Sequence, residues 1–284
     1  MANATRIRTR HEKLSLPAGH VGALWRARLG GRRLAMHRHD ELEFNLVLRG
    51  QARYLFRQRR QELRPHSLIW LFPQQDHVLL DHTPDFDMWV AVFKPAMLAR
   101  VCRTRATAEL RQGDPPGHFC RELLPGQARR LHALFQEVRE LQGDALNAGL
   151  AYALLLAWSS FGSAGALDPG PQVHPAIQRA VRIIREEHEP GSLAALAQQV
   201  GVSTWRLSRL FRQQTGVSLV AYRQRQRLQR FLDLYGDGST CKMLDAALRA
   251  GFGSYPQFHR VFRQYMGLSP AEHRRKMKLA GAQT

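Results

Sequence analysis

Between Val21 and Lys94 the apolar positions come in short runs, VGALWRARL, ELEFNLVLRG, QARYLFR, SLIWLF, HVLLD and DMWVAVF, parted by charged or proline-bearing turns. Runs of this length, rich in β-branched and aromatic residues, predict the strands of an antiparallel sandwich or small barrel. Beyond Pro125 the period changes: Leu131, Leu134, Phe135, Val138 and Leu141 recur at spacings of three and four, as on one face of a helix. A second helix is expected over about residues 147–161. The stretch GSAGALDPGPQV at residues 162–173 then breaks the patterning with glycine, proline and small residues, and after it every periodic segment reads as helix. The expected class is α+β. Residues 1–161 form a β unit with appended helices, 162–173 a linker, and 174–284 an all-α domain.

The all-α part contains a repeat at an offset of 51 residues. Leu207 to Arg223 reads LSRLFRQQTGVSLVAYR, and Phe258 to Arg274 reads FHRVFRQYMGLSPAEHR. Arg209, Phe211, Arg212, Gln213, Gly216, Ser218 and Arg223 recur as Arg260, Phe262, Arg263, Gln264, Gly267, Ser269 and Arg274. Each copy has the grammar of a helix-turn-helix, at about residues 192–214 and 242–265. In the first, Leu193, Leu196, Ala197 and Val200 make one apolar face; Gly201 can take the positive φ that stops a helix, and Ser203 stands where an N-cap belongs. In the helix that follows, Leu207, Leu210 and Phe211 are expected inside, while Trp205, Ser208, Arg209 and Arg212 share another, basic face with Arg206 beside it. In the second copy Ser254 is the cap, Phe258, Val261 and Phe262 are the inner stripe, and Tyr255, Pro256, His259, Arg260 and Arg263 are presented. Trp205 reads either as a groove contact or as a packing residue. A long helix over about residues 218–235 joins the copies, its Arg223, Arg225, Arg227 and Arg230 expected partly to face phosphate.

The stretch AALRAGFGSYPQFHRVFRQYMGLSPAEHR closely resembles the signature of the AraC/XylS transcription regulators, with G-F-x-S-x-x-x-F, F-[KR] and G-x-S-P-x-x-x-R in order. The resemblance covers about residues 175–276 and implies a seven-helix DNA-binding fold whose recognition helices lie near residues 203–213 and 254–265. By that similarity Trp205, Ser208 and Arg209 align with base-reading positions, as do Tyr255, Gln257, His259 and Arg260. Met243 and Ala246 stand where larger β-branched residues are usual, and His273 where an aromatic is, which suggests a looser second unit.

Charge sharpens this picture. The chain of 284 residues carries 42 basic and 23 acidic side chains, a net +19, which points to a polyanionic partner. Only Lys13, Lys94, Lys242, Lys276 and Lys278 are lysines; the rest are arginines, whose planar fork suits phosphate and guanine edges. Residues 170–284 hold 18 basic against 7 acidic side chains, so the helical domain has the denser positive field. The longest strongly apolar stretch, Ala148 to Trp158, is short for a bilayer span, which removes the membrane as the expected partner. The basic start, Met1 to Arg10, leads into no apolar segment, and Cys102, Cys120 and Cys241 form no CxxC pair, so a cytoplasmic protein with reduced thiols is expected.

In the N-terminal half, GRRLAMHRHDELEFNLVLRG resembles the first cupin motif through Gly31, His37, His39, Glu43 and Gly50, and PHSLIWLFPQQDHV resembles the second through Pro73 and His77. The implied fold is a small cupin-like β-barrel, the usual sensory domain of such regulators. His37, His39, Glu43 and His77 are a candidate divalent-metal set, since imidazoles at i and i+2 share a strand face; the alternative is hydrogen bonding in the barrel mouth without metal. No cofactor is required by this reading. Trp25, Phe44, Trp70 and Trp89 are candidate linings of an effector pocket and equally candidate core. The helices of residues 127–161 either pack on the barrel or build a homodimer interface.

The function expected is a sequence-specific DNA-binding regulator, not an enzyme, with double-stranded DNA, a small-molecule effector and a second copy as partners, and RNA polymerase as a further one. A metal-dependent cupin enzyme with an accessory DNA-binding domain is the alternative, and non-specific nucleic-acid binding a third. Neither accounts for a helix-turn-helix duplicated with matched caps.

Overall fold

The computed structural model describes residues 16, 19–28, 40–56, 59–73, 75, 77–186, 192–236 and 241–281, with side chains to 277. Among these, the residues through Gln172 form one compact unit and those from Val173 another.

The first unit is built on two antiparallel sheets. Strands β1 (Gly22–Arg28), β2 (Leu42–Arg49), β3 (Ala52–Phe56), β4 (Arg59–Leu63), β5 (Ser67–Leu71), β6 (His77–His82), β7 (Asp87–Phe93), β8 (Cys120–Glu122) and β9 (Gly165–Ala166) divide into a six-stranded sheet, ordered β1-β7-β2-β5-β8-β9, and a three-stranded sheet, β4-β3-β6. The β2–β3 turn needs Gly50, whose φ is +70° and where a Cβ would press on Thr83 and Phe86. Strand β7 is buried along its whole length and β2 along most of it, so both faces of this sheet are covered.

One cover is helical. After α1 (Pro95–Val101) and a 3-10 turn (Arg105–Arg111) come α2 (Pro125–Glu140) and α3 (Gly143–Gly162). Leu131, Phe135 and Val138 of α2 and Leu150, Leu154 and Phe161 of α3 join Leu42, Phe44, Leu46, Trp70 and Trp89 in one core. Of the two readings given for the aromatic set, core or pocket lining, Phe44, Trp70 and Trp89 take the core one, fully buried beneath these helices, and Trp25 is half-buried on β1. Helix α3 is long and apolar enough to cross a membrane, yet its inner face belongs to this core.

The linker stretch is tied to the first unit. β9 pairs with β8, Pro171 accepts a hydrogen bond from Arg60 N–H at 3.0 Å, Arg59 Nη1 donates to the Gly170 carbonyl at 3.1 Å, and Gln172 bridges to Arg59. Its glycine permits this, because a Cβ on Gly170 would collide with the Arg60 carbonyl oxygen.

The second unit is helical throughout: α4 (Pro175–Glu186), α5 (Leu193–Gln199), α6 (Thr204–Thr215), α7 (Leu219–Tyr235), α8 (Met243–Arg249), α9 (Tyr255–Met266) and α10 (Pro270–Gly281). Seventeen residues make α7 roughly 26 Å long. It carries Phe231 and Tyr235 into a core with Ala246, Phe252, Phe258, Val261 and Phe262.

Candidate nucleic-acid interface

Two elements, α6 and α9, are built by the same local chemistry. Ser203 accepts from Arg206 N–H at 3.2 Å and Ser254 from Gln257 N–H at 3.4 Å, each satisfying an orphan donor of the first turn. Each helix ends on a left-handed glycine, Gly216 at φ +76° and Gly267 at φ +71°, which donates to the carbonyl four residues back. The next helices are capped alike. Ser218 accepts from Ala221 N–H, and Ser269 forms a reciprocal box with Glu272, whose carboxylate takes both the Ser269 N–H at 2.6 Å and its hydroxyl at 2.7 Å. The side-chain bond from Ser269 is the main reason the Glu272 carboxyl lies below its ordinary range.

The inner stripes are Leu207 and Phe211 in α6 and Phe258, Val261 and Phe262 in α9, all buried; Leu210 is half-buried. The other faces are open. Trp205 is 68% exposed, with the Arg209 guanidinium 5.1 Å from its ring centroid. Trp205, Ser208, Arg209, Arg212 and Gln213 line an open groove of about 520 Å³. Arg206 is exposed beside it. Gln213 was not among the residues expected to read bases, although its recurrence as Gln264 was a usable signal.

On α9, Tyr255, Arg260 and Arg263 are exposed, and His259 and Gln257 half-exposed. The Tyr255 ring leans on His259 at 6.2 Å. Gln257 is partly committed, because its side-chain oxygen accepts from Gly253 N–H at 2.9 Å. Its amide N–H groups are what it offers outward.

Three arginines of α7 also make contacts within the helical unit. Arg225 lies over Tyr265 of α9 at 5.4 Å, Arg230 donates to the Ile184 carbonyl of α4, and the Arg227 side chain covers Gly251. These three and Arg223 are half-buried, so part of each side chain remains exposed beside the helices packed around α7.

In the first unit, Glu43 and His77 are buried, on β2 and β6. Glu43 accepts from Asn45 at 2.8 Å, and His77 Nδ1 lies 3.1 Å from the Gln75 carbonyl. The other two of the metal set, His37 and His39, are outside the described residues. Among the described residues no three His, Cys, Asp or Glu side chains are grouped as a metal would need.

A sheet-built unit followed by two helix pairs, α5–α6 and α8–α9, in each of which the second helix is serine-capped and glycine-terminated, defines a two-domain helix-turn-helix protein. Residues 22–157 match the AraC-like ligand binding domain family and residues 196–276 the helix-turn-helix domain family. Over 84 residues the chain is 40% identical to the arabinose operon regulatory protein of Escherichia coli (strain K12), a match covering 29% of this chain and 28% of that protein. The matched segment thus spans less than a third of that relative. It is 23% identical over 258 residues to YfiF of Bacillus subtilis (strain 168), described as an uncharacterized HTH-type transcriptional regulator, covering 87% of this chain and 80% of that one. A solved transcriptional regulator with an AraC-type DNA-binding domain, from Chromobacterium violaceum, is 31% identical over 36% of this chain and 92% of its own, with a TM-score of 0.32. The chain belongs to the AraC family of transcription regulators, with the family's ligand-binding and helix-turn-helix domains in order.

Proposed function

We propose that this chain controls transcription by reading two successive major-groove segments with α6 and α9, under the influence of a small molecule held in the N-terminal unit. The observation that carries this reading is the pair of matched outward faces, exposed Trp205, Arg209 and Arg212 with half-exposed Ser208 on one helix and exposed Tyr255, Arg260 and Arg263 with half-exposed His259 on the other. Exposed arginines supply both the salt-dependent affinity for phosphate and the bidentate geometry that recognises guanine. The chain works in the cytoplasm as a homodimer and activates transcription through contact with RNA polymerase. Dimerisation is supported by α3, whose outer stripe of Ala148, Tyr152, Leu155 and Ser159 is exposed on a helix with a single charged residue, Asp144.

Selection of bound duplexes from a random library tests the reading. The full chain should enrich one motif whose two conserved blocks lie about one helical turn apart. Arg209→Ala should relax preference in one block and weaken binding by about 1–3 kcal/mol, leaving the other block intact. An enrichment without any motif, or a profile unmoved by Arg209→Ala, would refute it.

A further inference from the structure

The two sheets of the first unit enclose a polar cluster that its own hydrogen bonds leave incomplete. Leu42, Phe44 and Leu46 of β2 point into the core under α2 and α3, so the period of two turns Glu43 and Asn45 to the opposite face. Tyr54 of β3 and Gln61 of β4 stand directly across from each other and share a face of the smaller sheet. Both are buried, so that face looks inward, and the Tyr54 phenol on it, pushed up first by burial, is pushed further by the charge of Glu43. All four residues are at least nine-tenths buried. Asn45 spends its N–H on Glu43 at 2.8 Å and Gln61 spends its own on the Glu62 carbonyl at 3.3 Å. Their oxygens, Asn45 Oδ1 and Gln61 Oε1, are buried without any partner.

A buried acceptor with nothing to accept is costly and uncommon in folded proteins. Two such oxygens, one on a side chain hydrogen-bonded to the Glu43 carboxylate and one paired across strands with the Tyr54 that feels its charge, make an interior short of hydrogen-bond donors. From this we infer that Glu43, Asn45, Tyr54 and Gln61 form the effector site, and that the effector is a small donor-rich molecule whose hydroxyl or ammonium groups complete the cluster. A hard cation is a poorer match, since one carboxylate and two amide oxygens fall short of the six to eight oxygens calcium takes. The inference rests on the effector-binding reading of this unit and names the chemistry of that site.

The test is a thermal-melt and calorimetric screen of the full chain. One panel holds uncharged polyols (xylose, mannitol, myo-inositol), a second primary amines (ethanolamine, putrescine, spermidine), a third acceptor-only compounds (pyruvate, acetoacetate), and a fourth magnesium, calcium and zinc ions. A melting temperature raised by a polyol or an amine is expected. Asn45→Leu and Gln61→Leu should then bind that compound about tenfold or more weakly. Both variants should still melt cooperatively, at or above the wild-type temperature without ligand, because each removes an orphan acceptor. Glu43→Gln separates the sources: it should weaken an amine much more than a polyol.

Stabilisation by the third or fourth panel alone, or binding that survives both leucine variants, overturns the inference. So does the absence of any shift, which would mean that water satisfies the cluster. Each of these results from a chain that still selects a DNA motif leaves the regulator reading standing and removes only this one.

Discussion

At the scale of single residues, the most informative contact is the Arg209 guanidinium over the Trp205 ring at 5.1 Å. Arginine carries about 2 kcal/mol of rotamer entropy, and ordering it ahead of the base contact proposed for it would remove part of that cost from binding. An exposed indole is otherwise an expensive surface, so the pair gives Trp205 a role even where it touches no nucleotide. The expected outcome is graded. Trp205→Ala should weaken specific binding by about 1 kcal/mol, and Trp205→Phe, which keeps a π face, by less than half of that. Fluorescence anisotropy on the selected duplex checks it. Equal losses in the two variants would show that the indole acts by direct contact and not by holding Arg209. A second residue-scale point is Gln257, half committed to Gly253 N–H, so that of its two functions only the donor is directed outward.

At the scale of elements, what was legible in the sequence was what local chemistry decides. Ser203 and Ser254 cap, and Gly216 and Gly267 terminate, because a cap and a left-handed glycine depend on residues within a single turn. The strands with alternating apolar runs were legible for the same reason. Strand β4, whose RRQEL looks like a charged turn, was not, because an edge strand is defined by its partner and not by its own hydrophobicity. Phe44, Trp70 and Trp89 alternated correctly, yet only the packing of α2 and α3 decides that their side of the sheet is solid core. The intramolecular contacts of the α7 arginines were not legible, because a long side chain selects among neighbours that only the fold supplies. The glycine and proline of residues 162–173 signalled a break, and the division between the two units falls at its end; that Gly170 also serves a close backbone approach depends on Arg60, far away in the chain, and was not legible.

Helix α2 is also fastened by a bond that titrates. Trp89 Nε1 donates to His132 Nδ1 at 2.8 Å, which requires the neutral imidazole with its proton on Nε2. Burial first, then the nearby Arg26 charge, lower the His132 pKa below 6.5, with Asp87 opposing. The unfolded chain therefore takes up the proton before the folded one does. Stability from this group is complete above about pH 6.5 and is lost as pH falls through the depressed value. The melting temperature should drop across that window more steeply for the wild type than for His132→Gln. A wild-type-minus-variant difference that does not change with pH would remove the role assigned to His132.

At the scale of the whole molecule, the proposed reading of two grooves would gain further from a tethered second copy, since linking two reading heads raises the effective concentration of the second. The net charge of +19 works against self-association, so any interface must lie where the arginines are absent. The outer stripe of α3 meets that condition: Tyr152 is 51% and Leu155 37% exposed, and between Asp144 and Gly162 the helix carries no basic residue. Leu155→Glu places a carboxylate in the middle of this stripe without touching the inner face of Leu150, Leu154 and Phe161. The variant is expected to melt like the wild type but to sediment as a monomer, and to lose about 10²-fold or more in affinity for a two-site operator while keeping its affinity for a single site. Sedimentation equilibrium and anisotropy on the two duplexes read these separately. A Leu155→Glu chain that remains dimeric would assign the apolar face of α3 some other occupant and return the pairing of DNA-binding units to another surface.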